Sequence, residues 1–323
     1  MKISCLIVLK FQLNGYTNVG AMTIRGLHIL TSLLVLSVAL SCNREGDESC
    51  IPISFAVDDY FVEVRGGESN VPDFESFGVF ALVNDEELLM DKVRVTDKGS
   101  YWSADDLYYW PQKAGSHVDF YAYSPFSNQP SDVGLKFYDE NTGKPKFTFT
   151  MSENADVDLM VAKSEGRTAA GGSVPMVFRH LLCKVQFSFS VSNEGGYSYL
   201  VNEIKVNKTP LVANYDWSAD KFDVVQEGSI SVHIGEDDGS DHLIDSTEPV
   251  LIEDFTMYLM PGKLGEVVVT INNDDPKTID LSDVEISGEV QLNINFEVDL
   301  ADMKFTTSVT KWVDGGTASG NIS

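Results

Sequence analysis

The sequence predicts an all-β fold: two antiparallel β-sandwich domains that follow an N-terminal export signal. Three observations carry this reading. Apolar and polar residues alternate with period two in several separate runs. Glycine pairs and Asn/Asp/Pro clusters punctuate those runs, and beyond residue 41 no stretch places apolar residues at 3.6-residue spacing. With 323 residues, 43% of them hydrophobic, the chain can fill two cores.

Residues 1–41 read as a signal peptide. They hold Lys2, Lys10 and Arg25 and none of the 49 acidic residues. Leu27 to Leu40 is a largely apolar run of 14 residues, shorter than the roughly 20 needed to span a bilayer as a helix. Arg25 is its basic flank, and it ends in Ala39-Leu40-Ser41-Cys42. That junction resembles a bacterial lipobox, which makes Cys42 the lipidated mature N-terminus. Met22 is an alternative start that gives a signal of ordinary length. Residues 42–50 form a polar tether containing Asn43-Arg44-Glu45-Gly46-Asp47-Glu48.

Strands follow in order. Ile51, Ile53, Phe55 and Val57 alternate with Pro52, Ser54 and Ala56, and Phe61 to Val64 follows before Arg65-Gly66-Gly67. Phe147, Phe149 and Met151 alternate with Lys146, Thr148 and Thr150. Cys183, Val185, Phe187, Phe189 and Val191 alternate with Lys184, Gln186, Ser188 and Ser190. Leu292, Ile294, Phe296 and Val298 do the same against Gln291, Asn293, Asn295 and Glu297. Successive side chains of a strand point to opposite faces, so each run is a strand with one buried face. Residues 163–175 are small, polar and without period, and they are the expected linker. The domains expected are therefore 51–175 and 176–323.

Charge and motifs exclude several functions. The chain has 23 basic against 49 acidic residues, a net charge of −26. That balance opposes nucleic-acid binding and docking on anionic lipid. It contains no Gly-x-Ser-x-Gly, no His-Glu-x-x-His, no phosphate loop and no dinucleotide fingerprint. No catalytic residue, cofactor or metal ligand is expected. The stretch Glu236 to Asp241 departs from a calcium loop, because Ile234 sits where an acidic ligand belongs. Cys183 reads as a small core residue, with pairing to Cys50 as the alternative. Tyr108-Tyr109-Trp110 reads as strand packing, with a sugar-stacking platform as the alternative. His180 reads as a structural histidine.

Five segments carry a family resemblance: Phe77-Gly78-Val79-Phe80-Ala81, Tyr109-Trp110-Pro111, Val118 to Pro125, Asp158 to Ala162, and Val177 to Val185. In order and spacing they resemble the fimbrillin-like lipoproteins (major and minor pilins) of Bacteroidetes. Trp312 followed by Gly315-Gly316 resembles a common ending of that family. The resemblance implies two transthyretin-like β-sandwich domains on an outer-membrane lipoprotein exposed on the cell surface or in fimbriae. It implies trimming by an arginine- or lysine-directed protease, which removes the first strand and opens an apolar groove. A strand from a neighbouring pilin fills the groove, and the resulting fimbria supports adhesion to host or bacterial surfaces. Arg65, a basic residue at a glycine turn behind the first strand, is the expected cleavage site, with Arg44 second. Val309 to Val313 either donates a strand or closes its own sheet. A second function remains open at this point, a non-polymerising surface lipoprotein that binds glycans.

Overall fold

The computed structural model describes residues 50–59, 75–138, 144–192, 198–233, 242–298 and 303–311, all within the compact unit Cys50–Ser323. Cys42, Arg44, Arg65, the stretch Glu236 to Asp241, and Trp312 with its following glycines lie outside the described residues.

The strands in chain order begin with β1 (Phe55–Asp59), β2 (Ser76–Val83), β3 (Glu87–Asp97), β4 (Trp102–Ala104), β5 (Val118–Ser124), β6 (Leu135–Phe137) and β7 (Lys146–Thr150). Next come β8 (Met160–Arg167), β9 (Val174–His180), β10 (Cys183–Val191), β11 (Tyr199–Asp216), β12 (Lys221–His233), β13 (Leu243–Ile244) and β14 (Val250–Leu251). The last are β15 (Met257–Leu259), β16 (Gly262–Lys263), β17 (Glu266–Ile271), β18 (Lys277–Asp280), β19 (Glu285–Ile286), β20 (Val290–Val298) and β21 (Met303–Lys311). Among the described residues the regular structure is all-β apart from short 3₁₀ turns.

The first sheet closes on itself in the order β1-β4-β3-β2-β5-β8-β9, with β9 returning to β1. Closure removes the sheet edges that would otherwise be left unpaired. β2 and β5 are buried on both faces, which explains their near-continuous apolar sequences. One face (Phe77, Val79, Ala81, Phe120, Ala122) fills the barrel core with Ile53 and Phe55. The other (Phe80, Leu82, Tyr121, Tyr123) belongs to a second, larger core that includes Phe147, Tyr215 and Trp217. Trp217 meets Phe80, Tyr121, Phe147 and Tyr215 edge-to-face. Gly78 lies under the Tyr123 ring, where a Cβ would come within 2.2 Å of Cζ.

The larger core sits between two further sheets. One has the order β14-β10-β20-β21, with β15 also on β10; the other runs β18-β17-β11-β7-β6, with β12 and β13 also on β11. β11 serves both of its neighbours, pairing with β17 through Asn207 and with β7 from Val212 onward. Pro210 falls at the irregularity between those stretches, where a missing N–H breaks no regular ladder.

Two ladders depart from the antiparallel expectation. β1 pairs with β9, and β10 with β20, in parallel. In each case the partners are far apart in sequence, so no hairpin dictates their direction. The expected division at 175/176 falls inside β9, which pairs with β8 and β1. Residues 163–175, read as a linker, instead complete β8, make a 3₁₀ turn over Ala169–Gly171 and begin β9. They lack an apolar period because most of them are exposed. β6 and β7, from the first half of the chain, join the sheet of β11.

Candidate functional site

The N-terminal strand is held by few partners and buries large side chains. Before it, the segment Ile51–Ile53 runs antiparallel to Tyr108–Trp110. Ile53 N–H donates to the Tyr108 carbonyl at 2.8 Å, and Trp110 N–H donates to the Ile51 carbonyl at 3.0 Å. β1 itself then takes a five-pair parallel ladder on β9, from Phe55↔Val174 to Asp59↔Phe178. Against β4 it makes one registered pair, Phe55↔Trp102. The Val174 N–H to Ser54 carbonyl bond (2.8 Å) and the Ser54–Ser173 hydroxyl contact (2.8 Å) fix the register at its start.

Alternation along this segment places Ile53 and Phe55 in the barrel core with Val57 packed against it and leaves Ala56 exposed; Ile51, expected on the buried face, is instead exposed, because it precedes β1 and lies beyond the core. The Phe55 ring meets Phe77 and Phe120 edge-to-face. Behind them, Trp102 lies 5.6 Å from Phe77 and Trp110 lies 5.8 Å from Phe120, centroid to centroid. Val79 and Ala81 belong to the same core, but the rings that touch Phe55 are Phe77 and Phe120. Burying Ile53 and Phe55 contributes about 1.5–3 kcal/mol each, so a short strand is held chiefly by two side chains.

At the other end, β21 pairs with β20 through nine registered pairs, Val290↔Lys311 to Val298↔Met303. It is the last strand of its sheet, so Val309 to Lys311 pair within their own chain while the far side of β21 carries no partner strand among the described residues.

The remaining residues singled out by sequence fall as follows. Trp110 is buried, Tyr108 half-buried and Tyr109 exposed, so these three do not form one flat aromatic surface. Cys50 and Cys183 are both free, one exposed and one buried. Burial pushes the Cys183 thiol up to about 12. His180 is almost fully buried and its Nδ1 lies 2.9 Å from Asp158 Oδ1. That acidic partner, 22 residues earlier in the chain, follows no local motif and was not legible from sequence.

A family model described as fimbrillin-like matches residues 68–312. The chain belongs to the fimbrillin-like family. Among curated proteins nothing matches this fimbrillin-like chain. Among solved structures it resembles a fimbrial protein from Bacteroides vulgatus at 15% identity and a TM-score of 0.54, covering 80% of this chain and 99% of that one. It also resembles a candidate cell adhesion protein from Bacteroides uniformis at 16% identity and a TM-score of 0.57, covering 83% and 100%. A similar protein from Bacteroides ovatus has 12% identity and a TM-score of 0.56, with 83% and 100% covered. At these identities the likeness concerns the fold.

Proposed function

We propose that this fimbrillin-like chain is a structural subunit of a cell-surface fimbria, assembled by protease-triggered strand exchange and supporting adhesion. The observation that carries the reading is β1. It completes a closed sheet, seats Phe55 against Phe77 and Phe120, and makes only one registered pair on its β4 side. In this reading Cys42 anchors the exported precursor in the outer membrane, and cleavage after Arg65 releases the first strand. Arg44 precedes β1 in sequence, so a cut there would shorten the tether and leave the strand in place; Arg65 follows it. Loss of β1 frees backbone groups along β9 and an apolar groove in the barrel core, a template for an incoming strand. Repetition of such a head-to-tail contact without closure gives a filament.

The test compares wild type with Arg65→Ala under limited trypsin, read by unboiled gel and electron microscopy. Oligomer ladders in wild type alone support the reading. Cleavage after Arg65 that leaves a well-folded monomer overturns it, and the non-polymerising glycan-binding lipoprotein then takes its place. Anchoring is tested by labelling with a palmitate analogue, whose incorporation should vanish in Cys42→Ala.

A further inference from the structure

Asp85, His117 and Asp119 meet where the β2–β3 turn adjoins the start of β5. β2 ends at Val83, and Asn84 and Asp85 turn the chain with φ of 52° and 64° before β3 begins. Val83 pairs with Val118 and Leu82 with Asp119, which sets this turn beside the start of β5. Asn84 N–H donates to the His117 carbonyl and His117 N–H donates to Asn84 Oδ1, both at 3.1 Å. One side-chain donor atom from each of Asp85, His117 and Asp119 lies within 4.8 Å of the other two, and His117 Nε2 is 3.7 Å from Asp85 Oδ2.

The decisive member is Asp119, which is 4% exposed. Its Oδ1 accepts the Gly166 N–H at 2.5 Å. That N–H is aimed by a break in the β5–β8 register, where Val118 pairs with Arg167 and Phe120 with Ser164. Its other polar neighbour is the Asp85 carboxyl, with which it shares a hydrogen bond when one of the two is protonated and which repels it when both are ionised. The nearby cation is committed elsewhere: Lys144 Nζ lies 2.5 Å from Glu165, which also accepts the Tyr121 hydroxyl at 2.8 Å. A buried carboxylate facing a second carboxylate is costly without a positive partner.

We propose that Asp85, His117 and Asp119 bind one divalent metal cation of the class that takes mixed imidazole and carboxylate ligands, typified by Zn²⁺, with water completing the coordination. Imidazole nitrogen distinguishes this set from an all-oxygen calcium or magnesium cage. A cation about 2.1 Å from each donor requires donors roughly 3–4 Å apart, so small rotations of exposed Asp85 and half-buried His117 close the set around fixed Asp119. Its effect would be to staple the β2–β3 turn to the rim of β5, and binding to the folded state alone stabilises that state by mass action.

The experiment titrates the metal-stripped full chain with ZnCl₂ by calorimetry and follows thermal unfolding with and without Zn²⁺. His180–Asp158 and His242–Asp254 are two other His–Asp pairs, at 2.9 and 2.7 Å, so His242→Ala serves as the control variant. The expected result is a stoichiometric Zn²⁺ site with a raised Tm in wild type and His242→Ala. Affinity should fall at least about tenfold in His117→Ala and in Asp85→Asn, both surface changes that leave the core intact. Equal Zn²⁺ affinity in wild type and His117→Ala, loss of the site in His242→Ala instead, or no binding up to millimolar Zn²⁺ overturns the proposal.

Discussion

The Phe55 ring stands edge-on to Phe120, with centroids 5.5 Å apart and planes at 89°. A strand near the start of the chain is thereby locked to one more than sixty residues later, and through Phe77 to a third strand as well. Edge-to-face pairs add about 0.5–1.5 kcal/mol each beyond their buried area. Phe55→Ala should therefore destabilise the uncut chain by about 3–5 kcal/mol. Ala56→Ser, on the exposed face of the same strand, should cost less than about 0.5 kcal/mol. Urea midpoints at constant slope measure both, and equal effects would mean that the strand does not seat Phe55 in the barrel.

Legibility in the sequence follows burial. Apart from the buried Ser190, β10 and β20 each bury one face, so their alternation named every apolar core residue from Cys183 to Val191 and from Leu292 to Val298. β2 and β5 bury both faces, and a strand of that kind shows no period; their second face packs on Trp217, a residue far along the chain. β12 is largely exposed on both faces and carries no alternation either. The parallel β1–β9 ladder joins segments more than a hundred residues apart, which local pattern cannot register. The first strand itself was visible because Ile53 and Phe55 share a face. The Asp85–His117–Asp119 group was not, because a hairpin turn and a neighbouring strand bring it together without any motif spacing.

Phe187 is fully buried and stacks on Phe296, with centroids 6.2 Å apart and planes 5° from parallel. Removing the ring leaves a cavity beside Phe296, so Phe187→Ala should cost about 3–5 kcal/mol. Gln186→Ala, on the other face of β10, should cost under about 0.5 kcal/mol. Denaturant melts of the two variants check the assignment, and similar losses would reverse the face.

The two thiols should differ sharply in reactivity. Cys50 is exposed and accepts a hydrogen bond from Gln112 Nε2 at 3.2 Å, whereas Cys183 is buried and its thiol is pushed from 9.0 up to about 12. In a chain that starts at residue 42 with Cys42→Ser, Ellman's reagent at pH 8 should titrate one thiol quickly. The second should react at least roughly a hundredfold more slowly, until denaturant opens the core. The pH dependence has a definite sign. The unfolded thiol ionises near 9.0 while the folded one stays protonated to about 12, so this group lowers stability as pH rises across that window. Two fast thiols in the native protein would place Cys183 at the surface.

The first strand should also be replaceable in trans. A chain beginning at Gly66 keeps β9 and the rings of Phe77 and Phe120 but lacks Ile53 and Phe55, leaving a groove of unpaired backbone beside an apolar hole. Such a surface is costly in water, so the trimmed chain should melt at lower temperature than the uncut one. A synthetic peptide spanning Cys50–Asp59 carries the missing side chains and the backbone partners of Val174 to Phe178, and adding it should restore the melting temperature. The same peptide with Phe55→Ala loses about 3 kcal/mol of burial and should bind roughly a hundredfold more weakly. If subunits assemble by filling this groove, the wild-type peptide should also slow ladder formation by the trimmed chain, and the alanine peptide should not. Thermal melts and unboiled gels at increasing peptide concentration read both effects. A trimmed chain that is as stable as the uncut one and indifferent to the peptide would show that β1 is dispensable, and strand replacement at this site would fail as the assembly step.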